Sequence, residues 1–316
     1  MSILAIDVGK EKLALRYGDN PEKSQYIEIE NHPRALKEIL STWALSPQNT
    51  RVIMESTGDY HYTPAQFFLQ NKFPVRLLNP ILTNVYTKAS IRKLKTDRVD
   101  TVKIMELGLK GEGEDLNLES FINPKKELLR LSHFLTQLRS QLKLKTQSLE
   151  RKNILGSESI QELLTLIDQM SESIERIDSS ALKEIDEQAK KIDSIPGFSI
   201  KLSQVIATEC GDIKRFKEAS SLVAYAGLDP KIIQSGRMNH RGKLTKCGSP
   251  FLRYALFLAA RTAWRYDPDL FAYYQKKRGE GRSFTEVMCM ISRKLLHRIY
   301  AVVSQNRLYQ VNPISS

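Results

Sequence analysis

Four carboxylates sit where they could do chemistry. Asp97 and Asp100 lie three apart in "KLKTDRVDTVK", residues 93–103, among Lys93, Lys95, Arg98 and Lys103. That spacing puts both on one helix face, where they could share a divalent cation. They suit an ordinary helix N-terminus equally well, because acids favour the positive end of the helix dipole. Asp7 closes the apolar run "SILAID", and Glu55 closes "RVIMES". Carboxylates at the C-terminal ends of neighbouring strands converge in space, since open sheets build their sites there. Four such acids could hold two Mg²⁺ ions, or Mn²⁺, of the kind that clamp the attacking and leaving oxygens in phosphoryl transfer. Singly, Asp7 reads as a turn residue and Glu55 as a buried acceptor. The order Asp, Glu, Asp-x-x-Asp in a strongly basic chain favours metal, with the basic neighbours holding phosphate.

The elements that must position these acids follow from periodicity. Over the first 80 residues, strand signals ("SILAID", "KLALRYG", "QYIEIEN", "RVIMES", "FPVRLLNP") alternate with helix signals. "PRALKEILSTWAL" reads as a helix with Leu36, Ile39, Leu40 and Trp43 on one side, and a second helix falls near 63–71. The helix carrying Asp97 and Asp100 is expected to run to Leu109, with "KGEGEDLN" an exposed connection. This pattern predicts an α/β domain with a mixed sheet over residues 1–112.

In the middle of the chain, Leu128, Leu131, Leu135, Leu138, Leu142 and Leu149 hold a three–four spacing broken at Lys145. Ile160, Leu163, Ile167, Met170, Ile174 and Ile177 resume it beyond Gly156. These heptads predict a long antiparallel coiled-coil hairpin over 113–192, with arms roughly 45 Å long at the helical rise. From 193 to 316 a mainly helical domain is expected. "DSIPGFSIKLSQVIATECGD" resembles a helix-hairpin-helix whose turn amides could grip a DNA phosphate. "TEVMCMISRKLLHRIYAVV" reads as a closing amphipathic helix. Between them, "KIIQSGRMNHRGKLTKCGSPFLRYALFLAARTAWR" contains eight Lys and Arg residues and no acid, the mark of a polyanion surface.

Composition narrows the partners. The 316-residue chain carries a net charge of +12 and a pI near 9.5, which points to nucleic acid. Lys88, Arg92, Lys93, Lys95 and Arg98 in one basic stretch, and Arg237, Arg241, Lys243, Lys246 and Arg253 in the other, are the expected contacts. No lipid anchor, long apolar span or signal peptide is evident. Cys210, Cys247 and Cys289 are widely spaced, which suits a reducing cytosol and argues against a zinc site. The expected location is cytoplasmic, with the nucleoid.

"IDVGKEKL", "MESTGDYH" and "KTDRVDTVK" together resemble the RNase H-like fold in its RuvC-resolvase form. In particular they are similar to the DEDD insertion-sequence transposases of the IS-one-ten and IS-eleven-eleven group, which includes the Piv DNA invertases. "IPGFS", "FKEASSLVAYAGLDP", "QSG" and "KCGSPFLRYALFLAA" follow in the order of that family's C-terminal domain. The resemblance implies that Asp7, Glu55, Asp97 and Asp100 bind metal. It also implies that Ser235, the serine of the Ser-Gly motif, is a catalytic nucleophile. From the residues alone Ser235 would read as a turn or cap. Gly236 would let the backbone approach DNA, and Arg237 and Arg241 could stabilise phosphate charge. His240 is a proton-shuttle candidate, or a phosphate contact. "RMNHRG" does not align residue by residue, so the roles of His240 and Arg241 stay open.

The implied activity is a DNA recombinase that cuts and rejoins mobile-element ends through a phosphoserine linkage. The implied partners are double-stranded DNA, a structured noncoding bridge RNA, and further copies of the chain in a dimer or dimer of dimers. The competing readings are a junction-resolvase-like nuclease with water as nucleophile, a sugar-kinase-like ATPase suggested by "AIDVGKEKLAL", and a non-catalytic scaffold. The ATPase lacks a second Gly-rich phosphate loop. The scaffold leaves four acids repelling phosphate to no purpose.

Overall fold

Strand β1 (Ser2–Val8) and strand β4 (Thr50–Glu55) are near-continuous apolar runs because both of their faces are covered. The computed structural model describes residues 2–80, 83, 97–153, 156–235, 238–246 and 248–311, with the backbone alone for residues 120, 231–235 and 238–243. The chain forms two compact units, residues 1–123 and 124–316.

In the first unit, β2 (Lys12–Gly18), β3 (Gln25–Glu30), β5 (Val75–Leu78) and β6 (Glu114–Asp115) complete a mixed sheet of six strands among the described residues, in the order β3-β2-β1-β4-β5-β6. β1 is antiparallel to β2 and parallel to β4, and β5 runs parallel to β4. This matches the mixed α/β sheet expected for an RNase H-like unit. Period-two alternation sorts the side chains. Leu4, Ile6, Val52 and Met54 face helix α1 (Pro33–Thr42) and helix α2 (Tyr62–Gln70), meeting Leu36, Ile39, Ala65 and Phe68. Ile3, Ala5 and Ile53 face the opposite way and meet Ile104, Met105 and Leu107 of helix α3 (Asp97–Leu109). The exposed connection expected at 110–117 differs in one respect. Arg76 grips Asp115 through two bonds of 2.8 Å, which fixes β6 as a short edge strand. A short helix, α4 (Leu118–Phe121), follows.

Helix α3 lies close on the sheet because residue 108 is glycine. A Cβ there would stand 2.0 Å from Ile53 Cδ1.

The second unit opens with two long helices, α5 (Pro124–Lys152) and α6 (Ser157–Ala181). They pair antiparallel: Ser132 Oγ donates to Asp178 at 2.6 Å, and one heptad on, Arg139 donates to Ser171 at 3.0 Å. Ile167 and Ile174 are buried as the periodicity predicts. The leucine stripe of α5 is only partly inside. Ser132, Arg139 and Thr146 recur at every seventh position in the seam, and Ser132 and Thr146 are buried there. Leu131 and Leu138, expected inside, are 44% and 38% exposed, beside Phe134 at 53%. Hydrogen bonds satisfy the polar layer, so the displaced leucines form a second, outward stripe.

The hairpin, expected as a segment of its own, belongs to the same unit as the C-terminal helices. Arg130 of α5 binds Glu209 of helix α8 (Ile200–Cys210) at 2.8 and 3.1 Å, and Lys201 of α8 reaches Ser132 and Asp178. Helix α7 (Glu187–Asp193) and α8 flank the Pro-Gly turn. Gly197 in that turn has φ +97° and lies so near the next layer that a Cβ would come within 2.5 Å of the Ala263 backbone nitrogen. That glycine serves close packing against helix α10 (Pro250–Tyr266). Helix α9 (Ala219–Tyr225), α10, helix α11 (Pro268–Gly279) and helix α12 (Phe284–Ser304) share one core with α8, including Ile206, Leu222, Leu256, Leu270 and Leu296. A ribbon of β7 (Pro230–Ser235) and β8 (Met238–Leu244) joins α9 to α10.

The seat of α3 is testable. Gly108→Ala is expected to cost about 1–3 kcal/mol by overpacking against Ile53. Ile53→Val removes the obstructing Cδ1, so the double variant should be more stable than the sum of the two single losses. Urea titrations of the four proteins measure this coupling.

Candidate active site

The β1–β4 ladder ends at Ile6↔Met54, so Asp7 and Glu55 are the next residues on two adjacent parallel strands. Alternation turns both towards the face that α3 covers, the face of Ala5 and Ile53. Asp97 and Asp100 occupy the first turn of α3. The four expected carboxylates thus come together at one end of the sheet. Their proximity shows in Asp7, whose carboxyl is pushed up from 3.8 to about 6, first by burial and then by the charges of Asp100, Asp97 and Glu55.

Cations frame the cluster. Buried Lys103 places Nζ 2.7 Å from Asp100 Oδ1, one turn along α3. Buried Arg16 of β2 donates to Thr101 Oγ1 at 3.2 Å and to the Arg98 carbonyl at 3.2 Å, tying the first turn of α3 to the sheet. Arg98, expected at the nucleic acid, lies over the Tyr26 ring with its Cζ 5.5 Å from the centroid. A groove of about 440 Å³ adjoins Asp7 and Asp97, lined also by Gly9, Lys10, Lys12 and Glu28. Arg16, Lys10 and Lys12 are absent from the residues expected at the site. Their only signal in the sequence is a basic residue in or beside an otherwise apolar strand.

The donor set suits a hard divalent cation: all four groups are carboxylates, and their mutual repulsion on Asp7 is what such a cation relieves. Among the described residues, no three His, Cys, Asp or Glu side chains already stand close enough to hold a metal. A cation held there would draw the carboxylates closer together than they stand.

Ser235 belongs to the second unit. It ends β7, and its backbone pairs with Met238 of β8, while Ile233 pairs with His240 and Ile232 with Arg241. Lys88, Arg92, Lys93, Lys95 and Arg237 lie outside the described residues, and for Lys243 the backbone alone is described, within β8. Lys246 has φ +55° just after the ribbon. Arg253, expected at the nucleic acid, donates Nη1 to the carbonyls of Gly248 and Ala226. The guanidinium thus pins the start of α10. Gly248 is required there, since a Cβ would come within 2.0 Å of the Tyr225 carbonyl oxygen.

Asp7 gives a pH prediction. Its native carboxyl holds a proton up to about pH 6, whereas the unfolded chain releases it near 3.8. Its contribution is therefore fully present below 3.8 and is lost as pH rises through 6. The full shift corresponds to about 3 kcal/mol; solvent screening of a partly exposed group leaves on the order of 1–2 kcal/mol. Metal-free Asp7→Asn should thus be more stable than wild type at pH 8, with the difference shrinking towards zero as pH falls below 3.8, as read by denaturant titration across that range.

Both units are similar in sequence to known proteins. Residues 4–151 match a family model described as "Transposase", of the DEDD, IS110 type. Residues 189–275 match the "Transposase IS116/IS110/IS902 family". A pilin gene-inverting protein of Moraxella bovis is 27% identical over 274 residues, covering 81% of this chain and 80% of that protein. An uncharacterized 44.8 kDa protein of insertion element IS116 from Streptomyces clavuligerus is 30% identical over 128 residues, 40% of this chain and 32% of that protein. With models of IS110-type transposases matching in order in both units, over residues 4–151 and 189–275, the chain resembles the DEDD transposases of that type, enzymes that recombine DNA.

Proposed function

We propose that this chain recombines the ends of a mobile DNA element, using a RuvC-type metal site in the first unit and Ser235 as nucleophile in the second. The observation that carries this is the gathering of Asp7, Glu55, Asp97 and Asp100 at one end of the sheet in a chain that resembles this family. Those four carboxylates would hold Mg²⁺ or Mn²⁺, which supplies charge stabilisation to a phosphate undergoing substitution. Lys103 balances Asp100 whenever metal is absent. Arg16 keeps the first turn of α3, and with it Asp97 and Asp100, registered against β2. Lys10 and Lys12 beside the groove offer positive charge to a backbone phosphate.

In the chemical step, Ser235 Oγ forms a bond to phosphorus as one deoxyribose oxygen departs with its electron pair. The serine proton leaves with it, and reversal by a new deoxyribose hydroxyl rejoins the strand. The phosphodiester energy is kept in the phosphoserine, so no nucleotide cofactor is needed. The net charge of +12 also suits a structured RNA, which would choose DNA sites by base pairing while the protein holds backbones. The outward stripe of Leu131, Phe134 and Leu138 supports coiled-coil association with further copies of the chain. Among the described residues no helix is long and apolar enough to cross a membrane.

A second reading is favoured by the same carboxylates: they would equally serve water as nucleophile, giving a resolvase-like nuclease. The product separates the two. Protein prepared with the element's flanking noncoding RNA, Mg²⁺ and labelled joined-end DNA is run on a denaturing gel. Serine recombination predicts a DNA–protein adduct lost in both Ser235→Ala and Asp7→Ala. Free-ended cleavage unaffected by Ser235→Ala would overturn the serine role. For assembly, replacing Leu131, Phe134 and Leu138 together by Glu should lower the mass seen by sedimentation velocity without unfolding the chain, because all three are exposed.

A further inference from the structure

The second unit contains a cavity that neither the acids nor Ser235 use. It has a volume of about 270 Å³ and opens where α5 meets α8 and α10. One wall is aromatic: the His133 ring lies 4.3 Å from that of Tyr254 and 5.3 Å, edge-on, from that of Phe251. Tyr254, also in the lining, is 39% exposed. Three cations, Lys126, Arg130 and Lys201, line the same cavity.

The single acid in the lining, Glu209, is 4% exposed and accepts both bonds of the Arg130 fork, with Lys126 Nζ at 3.9 Å. Lys201 and Arg130 also hold Asp178 at 2.5 Å and Glu127 at 3.2 Å, so each rim cation shares its charge with an acid while still offering N–H donors at the cavity. The Arg130 guanidinium also lies 5.2 Å over the Phe251 ring, which fixes that ring as part of a rigid surface. Burial, and then the Lys201 charge, lower the His133 pKa and so favour the uncharged ring.

A flat ring attached to an anion satisfies both features. The volume is near the lower limit of small-molecule sites, about 300–1,000 Å³, and admits one ring system but not a helix. A row of apolar side chains from another protein would not use the cationic rim. In a duplex the bases are stacked and out of reach, so the fitting group is an unpaired one. We propose that this cavity receives one unpaired nucleobase of the bound nucleic acid, stacked on Tyr254 and His133, with its phosphate against Lys126, Arg130 and Lys201. This rests on the nucleic-acid reading of the chain and gives it a local address. The base belongs either to RNA or to a displaced DNA strand, which share this chemistry.

The test uses the full chain and short fluorescent single strands, ribo- and deoxy-, each carrying one 5-iodouracil, with duplex DNA as control. Photocrosslinking should map to peptides containing His133 or Phe251–Tyr254. Tyr254→Ala should weaken single-strand binding by about five- to a hundred-fold, the range of one lost base–aromatic stack. Duplex binding should be unchanged, and Tyr254→Phe should bind as wild type. Val205→Phe, which fills the cavity while leaving Tyr254 in place, should reproduce the loss. The tighter of the two strand types identifies the source. Equal single-strand affinity in Tyr254→Ala, Val205→Phe and wild type would overturn the proposal, as would variants that change only the sedimentation of the protein, since the occupant would then be a second copy. A wild type that binds neither single strand nor duplex would overturn the nucleic-acid reading itself.

Discussion

Like-charge repulsion at the end of the sheet is the constraint on which the first unit depends. Asp7, Glu55, Asp97 and Asp100 come together although each of the other three raises the cost of ionising Asp7. Something must hold them. The parallel ladder of β1 and β4 fixes two of them on the backbone, and the buried face of α3 fixes the other two through Ile104, Met105 and Leu107. Gly108 lets that helix settle on Ile53, and Arg16 ties its first turn to β2. Apolar packing and one arginine thus impose an electrostatic arrangement that would not form by itself. A divalent cation is one group that would relieve such repulsion.

The second unit solves a different problem. Its long helical pair uses a polar layer of Ser132, Arg139 and Thr146 where leucines would have given a tighter seam. Satisfied polar layers fix register at some cost in stability. Here the layer also connects outward, because Asp178 and Ser132 take Lys201 of α8, and Arg130 takes Glu209. The hairpin base is therefore bound to the helical core by hydrogen-bonded charges, and the leucines freed from the seam face solvent.

Much of this was legible in the residues. Strands β1 to β5 and helices α1 and α2 fall where alternation and helical spacing place them, and α3 falls where its terminal acids place its start. The carboxylates were legible for the same reason: Asp7 and Glu55 end apolar runs, and Asp97 and Asp100 begin a helix. What stayed hidden depended on partners distant in sequence. Leu131 and Leu138 keep heptad spacing yet point outward, since the seam is chosen by what α6 offers opposite, and Asp178 and Ser171 attract polar residues. Arg253 reads as a phosphate contact in a basic run, and nothing local shows that its Nη1 also donates to two backbone carbonyls brought by the fold. Gly197 and Gly248 read as turn glycines, and only the packing shows that each admits a neighbouring backbone. Ser235 carried no signal beyond its place in a family motif.

The most direct test of the metal site is Mn²⁺ binding followed by electron paramagnetic resonance on the wild-type chain and on Asp7→Asn, Glu55→Gln, Asp97→Asn and Asp100→Asn. Tight Mn²⁺ binding is expected at pH 8, displaced by Mg²⁺ and weakened in every one of the four variants. Binding that persists unchanged in all four, or that is absent from the wild type, would contradict the assignment of these carboxylates as metal ligands.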